Sequence, residues 1–177
     1  MDVLPRPLLL LGVFVRWAAP RAGERVREIG AGLGVLTQAL LGAGCGVTAV
    51  EVEWRLAGYL ARAYGGRRGF DLVCADACGV DWDRLMGEGE YRCVANLPYA
   101  VSTVVLAGLM EAANAPTGMC ILLQREMAER LAASPGTKAY GAVTVCTQVL
   151  YDVRVLRRVP PAVFFPAPDV QSCLVEL

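Results

Sequence analysis

The 177-residue chain has no histidine, and only one of its 17 basic residues, Lys138, is a lysine. Without imidazole there is no histidine metal site and no His-dependent acid or base catalysis. A Schiff-base lysine would have a single candidate, in a stretch that also holds glycine and proline. Seventeen acidic residues balance the 17 basic ones, so the formal net charge is +0 and no global field draws the chain to nucleic acid. Any nucleic-acid substrate would have to be held by a local patch or by a missing part, and the arginine excess reads as coding bias rather than as a phosphate-binding device. No apolar run reaches the roughly 18 residues of a spanning helix. The seven cysteines (45, 74, 78, 93, 120, 146 and 173) contain no C-x-x-C pair, which argues against a zinc site or a disulfide framework. Buried free thiols in a reducing cytoplasm are expected instead.

What is present is apolar: 55% hydrophobic residues and a mean hydropathy of +0.44, enough for one well-cored domain and incompatible with disorder. The N-terminal MDVLPRPLLLLGVFVRWAAP loosely mimics a signal peptide, but Asp2 against Arg6 leaves its start scarcely cationic. A first helix packed on the domain is the better reading. Short apolar runs then alternate with helical patterns, the signature of an α/β fold with a mostly parallel sheet covered on both faces. The pattern predicts strands over 25–29, 46–51, 70–75, 91–95 and 118–123, each nearly all apolar. It predicts helices over 33–41, 53–64, 81–86, 102–113 and 124–133. Residues 140–150 are ambiguous, because Val143, Thr144, Val145, Thr147 and Val149 favour a strand. Two last strands, over 152–159 and 171–177, flank a proline-rich loop, Pro160 to Pro168.

Glu28-Ile29-Gly30-Ala31-Gly32-Leu33-Gly34 follows the first strand and opens a helix. Glycines there let the backbone turn sharply and approach a ligand with no Cβ in the way. A tight turn without a ligand would look the same. The dinucleotide fingerprint G-x-G-x-x-G would need glycine where Val35 stands. Glu51 ends the second strand, where a carboxylate can accept ribose hydroxyls, and Asp76 follows the third, where it could accept an adenine amine. Singly, each acid reads as a loop residue or helix cap; together they mark three successive strand ends on the ligand-binding edge. Asn96-Leu97-Pro98-Tyr99 follows the fourth strand and joins an amide, a stiff turn and an aromatic face. That set suits an extruded planar base, although a structural turn with a packed tyrosine is the alternative.

These strings, with NLPYAVST (96–103), LQREMAERL (123–131), GTKAYG (136–141) and VPPAVFFPAPDVQS (159–172), resemble the ribosomal RNA adenine N6,N6-dimethyltransferases. Relatives conferring erythromycin resistance share that architecture. The resemblance implies a class I S-adenosylmethionine-dependent methyltransferase fold, Rossmann-like, with a seven-stranded mostly parallel sheet, and it makes 140–150 helical. It implies that Gly30 and its neighbours lie against the methionine part of S-adenosylmethionine, that Glu51 holds the ribose and that Asp76 meets the adenine amine. Glu28, Gly32, Gly34, Val52, Ala77 and Asn96 complete the cofactor-binding set. On the substrate side, Asn96 and the Leu97 carbonyl would accept the target N6 hydrogens, Pro98 would stiffen the loop, and Tyr99 and Phe164 would sandwich the base.

Set against the family's pattern, two departures are expected: Val3, Leu4 and Pro5 stand where an Asn-Phe-Leu-type lid motif would be, and the organisation expected lacks the family's C-terminal helical RNA-holding domain. The expected organisation is an N-terminal helical segment over 1–22, a degraded lid, and a methyltransferase domain over 23–177. The expected partner is small-subunit ribosomal RNA, met in the cytoplasm by a monomer with neither metal nor membrane attachment. A family member that binds S-adenosylmethionine or assists ribosome assembly with little turnover is the alternative. An unrelated nucleotide-binding oxidoreductase is disfavoured by Val35 and the NLPY string.

Overall fold

β-Branched and aliphatic runs form the middle of one seven-stranded sheet. Its strands are β1 (Arg25–Ile29), β2 (Gly46–Glu51), β3 (Phe70–Cys74), β4 (Arg92–Asn96), β5 (Gly118–Gln124), β6 (Arg154–Val159) and β7 (Ser172–Glu176), in the order β3-β2-β1-β4-β5-β7-β6. The computed structural model describes residues 17–164 and 167–177, apart from the Met86 side chain. β1 to β5 pair in parallel, and β7 runs antiparallel to both β5 and β6. Construction proceeds outward from β1 to β3, and then returns to lay β4 on the other side of β1. Strand order reverses at that junction, so a crevice opens beyond the carboxyl ends of β1 and β4.

Among the described residues six α-helices connect the strands: α1 (Val35–Gly42), α2 (Trp54–Tyr64), α3 (Trp82–Met86), α4 (Ser102–Glu111), α5 (Arg125–Leu131) and α6 (Ala142–Leu150). Alternation along β4 and β5 divides the core into two layers. Cys93, Ala95, Met119, Ile121 and Leu123 face Val105, Leu106 and Leu109 of α4 and Leu131 of α5. Val94, Cys120 and Leu122 join a cluster with Leu36 and Leu40 of α1 and Leu60 of α2.

Residues 142–150 form a helix despite their β-branched content, which costs up to about 0.7 kcal/mol per residue. Tertiary hydrogen bonds offset that cost, each worth about 1 kcal/mol. Thr144 Oγ1 donates to the Arg130 carbonyl at 2.6 Å, and Gln148 Nε2 donates to the Leu131 and Ala133 carbonyls at 2.9 and 3.0 Å. α6 thereby donates hydrogen bonds to carbonyls at and just beyond the end of α5.

Several boundaries differ from expectation by one or two residues. β3 stops at Cys74, β4 runs from Arg92 to Asn96, β5 continues through Gln124, and α4 ends at Glu111. Helix α5 ends at Leu131 and β6 starts only at Arg154. The strands are not uniformly apolar: β3 and β6 are the sheet edges, and β6 exposes Arg154, Arg157 and Arg158. Charge on an edge strand deters pairing with another chain. Of the cysteines, Cys74, Cys78 and Cys146 are exposed rather than buried, and all seven are free thiols. Most of the expected 1–22 helix lies outside the described residues. Within them the helix covers only Trp17 and Ala18, and Ala19 has φ 40°.

Candidate active site

The glycine loop leaves β1 at Ile29, and its Gly30, Gly32 and Gly34 have φ of 75°, 57° and 75°. Side chains rarely adopt this left-handed region. The Gly30 N–H donates to the Val50 carbonyl at 2.8 Å, which ties the loop to β2. A Cβ on Gly30 would stand 3.5 Å from the Asn96 carbonyl oxygen and 4.0 Å from Pro98 Cδ, so the loops after β1 and β4 lie side by side.

Glu51 ends β2 at the rim of the crevice. Its Oε2 accepts the Gly32 N–H at 2.8 Å and its Oε1 accepts the Glu53 N–H at 3.0 Å. Each oxygen keeps acceptor capacity for a further donor. Asp76 is exposed after β3, where its Oδ1 accepts the Cys78 N–H at 2.9 Å. Asn96 closes β4 with an exposed side chain, whereas the Leu97 side chain is buried and anchors the loop that follows.

These groups surround one cavity of about 340 Å³, a size suited to a small organic ligand. Gly30, Gly32, Glu51, Val52, Asp76, Ala77, Asn96, Leu97 and Pro98, all singled out in the sequence, line it together. Its charged lining residues are both acidic, and Ile29, Val50, Val101 and Val105 supply much of the apolar wall. The valines of and just before α4 were not anticipated; their signal was the apolar run after NLPY. A wider groove of about 590 Å³, between Ala132–Pro135 and Tyr151–Arg154, lies at the opposite edge of the sheet. None of the predicted residues lines it.

Four predicted residues do not line the cavity. Glu28 is 1% exposed and sits beneath the loop, where its Oε2 accepts the Thr37 hydroxyl at 2.6 Å. Burial pushes its carboxyl up to about 8, partly opposed by the Thr37 hydrogen bonds. Gly34 is also buried: a Cβ there would come within 2.6 Å of Tyr64 Cε2 and 2.7 Å of Leu60 Cδ2, and the Tyr64 hydroxyl donates to its carbonyl at 3.0 Å. Its lack of a side chain serves helix packing rather than ligand approach. Tyr99 is half-buried beside the cavity, with its hydroxyl 2.5 Å from Ser172 Oγ and its carbonyl accepting Ser102 Oγ at 3.1 Å. Phe164 packs against the core layer that contains α1 and α2. Thr37 and Ser172, the partners of Glu28 and Tyr99, were not foreseen in those roles.

A seven-stranded mixed sheet with its order reversing at β1 and β4, an antiparallel β7 between β5 and β6, a glycine loop and acids at successive strand ends make up the class I methyltransferase fold. The model of the ribosomal RNA adenine dimethylase family matches residues 14–177, and the chain belongs to that family. A relative from Magnetococcus marinus named ribosomal RNA small subunit methyltransferase A is 41% identical over 99% of this chain. The match covers 61% of that relative, so the chain spans about three fifths of its length. A dimethyladenosine transferase from Plasmodium falciparum superposes with a TM-score of 0.82 at 25% identity, over 95% of this chain and 60% of that one. The 23S rRNA methyltransferase ErmE gives 0.81 at 24% identity, over 95% of this chain and 66% of that one.

Proposed function

We propose that this chain binds S-adenosylmethionine at the carboxyl edge of the sheet and transfers its methyl group to the N6 amine of an adenine in small-subunit ribosomal RNA. The observation carrying the reading is the single cavity that joins Glu51, Asp76 and Asn96, in a chain belonging to the adenine dimethylase family. The wall suits the methyl donor. Gly30 and Gly32 give backbone access, Glu51 keeps acceptor capacity for a ribose, and the apolar residues suit an adenine ring and the methylene groups that flank the sulfonium. Two carboxylates and no cationic side chain in the lining favour a sulfonium over the pyrophosphate of a dinucleotide.

When bound, S-adenosylmethionine supplies an electrophilic methyl group. Glu51 takes the ribose hydroxyls and Asp76 the adenine amine of the cofactor, with Val52 and Ala77 beside them. The Asn96 amide oxygen and the Leu97 carbonyl accept the hydrogens of the target N6, which favours a pyramidal nitrogen and stabilises its developing positive charge. Tyr99 and Phe164 hold the flipped base by its faces. A methylated ammonium is strongly acidic and loses its proton to water, so a chain without histidine suffices. The partner in this reading is small-subunit ribosomal RNA, met in the cytoplasm by a monomer that needs no metal.

Calorimetry of S-adenosylmethionine binding, paired with tritiated methyl transfer to under-methylated small ribosomal subunits, tests the proposal. Binding and transfer support it. Binding without transfer favours a role in ribosome assembly, and absence of binding contradicts both.

A further inference from the structure

Helix α2 carries arginine on its outer face and no acid. Arg55 and Arg62 stand two helical turns apart on the side that also exposes Tyr59, and Arg67 and Arg68 follow just beyond the helix end. Trp54, the first residue of the helix, is 70% exposed, and Tyr59 is 42% exposed. The Arg55 guanidinium lies 5.3 Å from the centre of the Trp54 ring, and that of Arg67 lies 5.3 Å from the centre of the Tyr64 ring. A Cβ on Gly58 would stand 3.6 Å from Arg62 Nη1, so the Arg62 side chain lies back along the helix over this small residue.

Little opposes this charge. Among the described residues no ion pair takes any of the four arginines. Glu53 stands at the start of the helix, where its carboxylate accepts the Arg55 N–H at 3.1 Å. Phe70 joins the core layer beneath α2, so strand alternation turns Asp71 to the other face of the sheet. The neighbouring α1, which shares that layer, has no charged side chain. In a chain whose formal net charge is +0, these arginines are a local concentration of one sign. Ala57, Leu60 and Tyr64 are buried, so α2 has no apolar face free to enter a membrane surface.

Resting on the reading of the chain as an RNA methyltransferase, we propose that the outer face of α2 is a docking surface for single-stranded RNA. Phosphates of the strand meet Arg55, Arg62, Arg67 and Arg68, and its unpaired bases stack on Trp54 and Tyr59. Exposed flat rings between guanidinium groups select a single strand, because the bases of a duplex are already stacked on one another. Val52, two residues before Trp54, lines the cavity, so the surface begins at the cavity mouth and follows α2 toward the amino edge of the sheet. A strand held there adds affinity for the RNA without touching the cofactor.

Fluorescence anisotropy of a labelled single-stranded RNA of about 12 nucleotides tests the inference, with the wild type, the double variant Arg55→Gln with Arg62→Gln, and Trp54→Ala, over a series of salt concentrations. The double variant is expected to bind about 25-fold more weakly at about 0.1 M salt, and its plot of log affinity against log salt to be about 1.4 units shallower. Trp54→Ala is expected to bind at least about fivefold more weakly. Both variants should keep the wild-type dissociation constant for S-adenosylmethionine, and with small ribosomal subunits both should raise KM for the RNA while kcat holds. Wild-type affinity and salt slope in the variants overturn the inference, as does equally tight binding of duplex RNA or of phosphatidylglycerol vesicles. Methyl transfer by the wild type alongside such unaltered variants leaves the functional reading standing. RNA binding that depends on these residues, in a chain that does not bind S-adenosylmethionine, keeps the docking surface and removes the functional reading.

Discussion

Glu51 Oε2 accepts the Gly32 backbone N–H at 2.8 Å, so the end of β2 holds the crest of the glycine loop. One carboxylate thereby shapes the cavity and offers acceptors to a ribose. A charge-assisted hydrogen bond is worth about 1.5–3 kcal/mol. Glu51→Ala is expected to weaken S-adenosylmethionine binding about ten- to hundredfold by calorimetry. Asp76→Ala is expected to weaken it too, with the thermal unfolding profile unchanged because the residue is exposed. Unaltered dissociation constants contradict these assignments.

Gly34 tests the distinction between loop glycines that serve the ligand and those that serve packing. An alanine there meets Tyr64 and Leu60 at 2.6 and 2.7 Å and must keep φ near 75°. Strain and overpacking together are expected to cost about 2–4 kcal/mol, seen as a lower Tm. A wild-type Tm would show that the helix contact is slack.

Tyr99 combines a ring beside the cavity with a hydroxyl 2.5 Å from Ser172 Oγ. Tyr99→Ala is expected to depress methyl transfer far more than cofactor affinity, because the ring is assigned to the target base. Tyr99→Phe keeps the ring and loses one hydrogen bond, about 1 kcal/mol, so transfer should largely survive. Equal losses of transfer and affinity in the alanine variant would move Tyr99 to the cofactor side.

The pH dependence of the ligand-free protein follows from Glu28. Its carboxyl rises from 4.5 to about 8 on folding, chiefly through burial. The contribution to stability is therefore complete below about pH 4.5 and is lost as pH climbs through about 8. The Cys93 and Cys120 thiols, pushed up to about 12 by burial, continue the loss at higher pH. Thermal unfolding should give a lower Tm at about pH 8.5 than at about pH 5, and Glu28→Gln should flatten that difference. A flat wild-type profile would show that the carboxyl stays hydrated.

Much of this was legible in the sequence because parallel strands covered on both faces read as apolar runs, and strand order reverses where the glycine loop and NLPY meet. What escaped depended on the third dimension. Position just before the glycines made Glu28 look like a cavity acid. Strand alternation instead sends it with Val26 away from the cavity that Ile29 lines. The helix over 142–150 ran against local propensity because its stabilising partners, the Arg130, Leu131 and Ala133 carbonyls, lie at and just beyond the end of α5. The Tyr99–Ser172 contact spans 73 residues, beyond any local pattern.

The most direct test of the account is the chemical identity of the product. Under-methylated small ribosomal subunits would be incubated with the chain and isotopically labelled S-adenosylmethionine, and the RNA digested to nucleosides for mass spectrometry. The account predicts label in N6-methylated adenosine, and its loss with Asn96→Ala while cofactor binding persists. Label in another nucleoside, or undiminished methylation by Asn96→Ala, would contradict it.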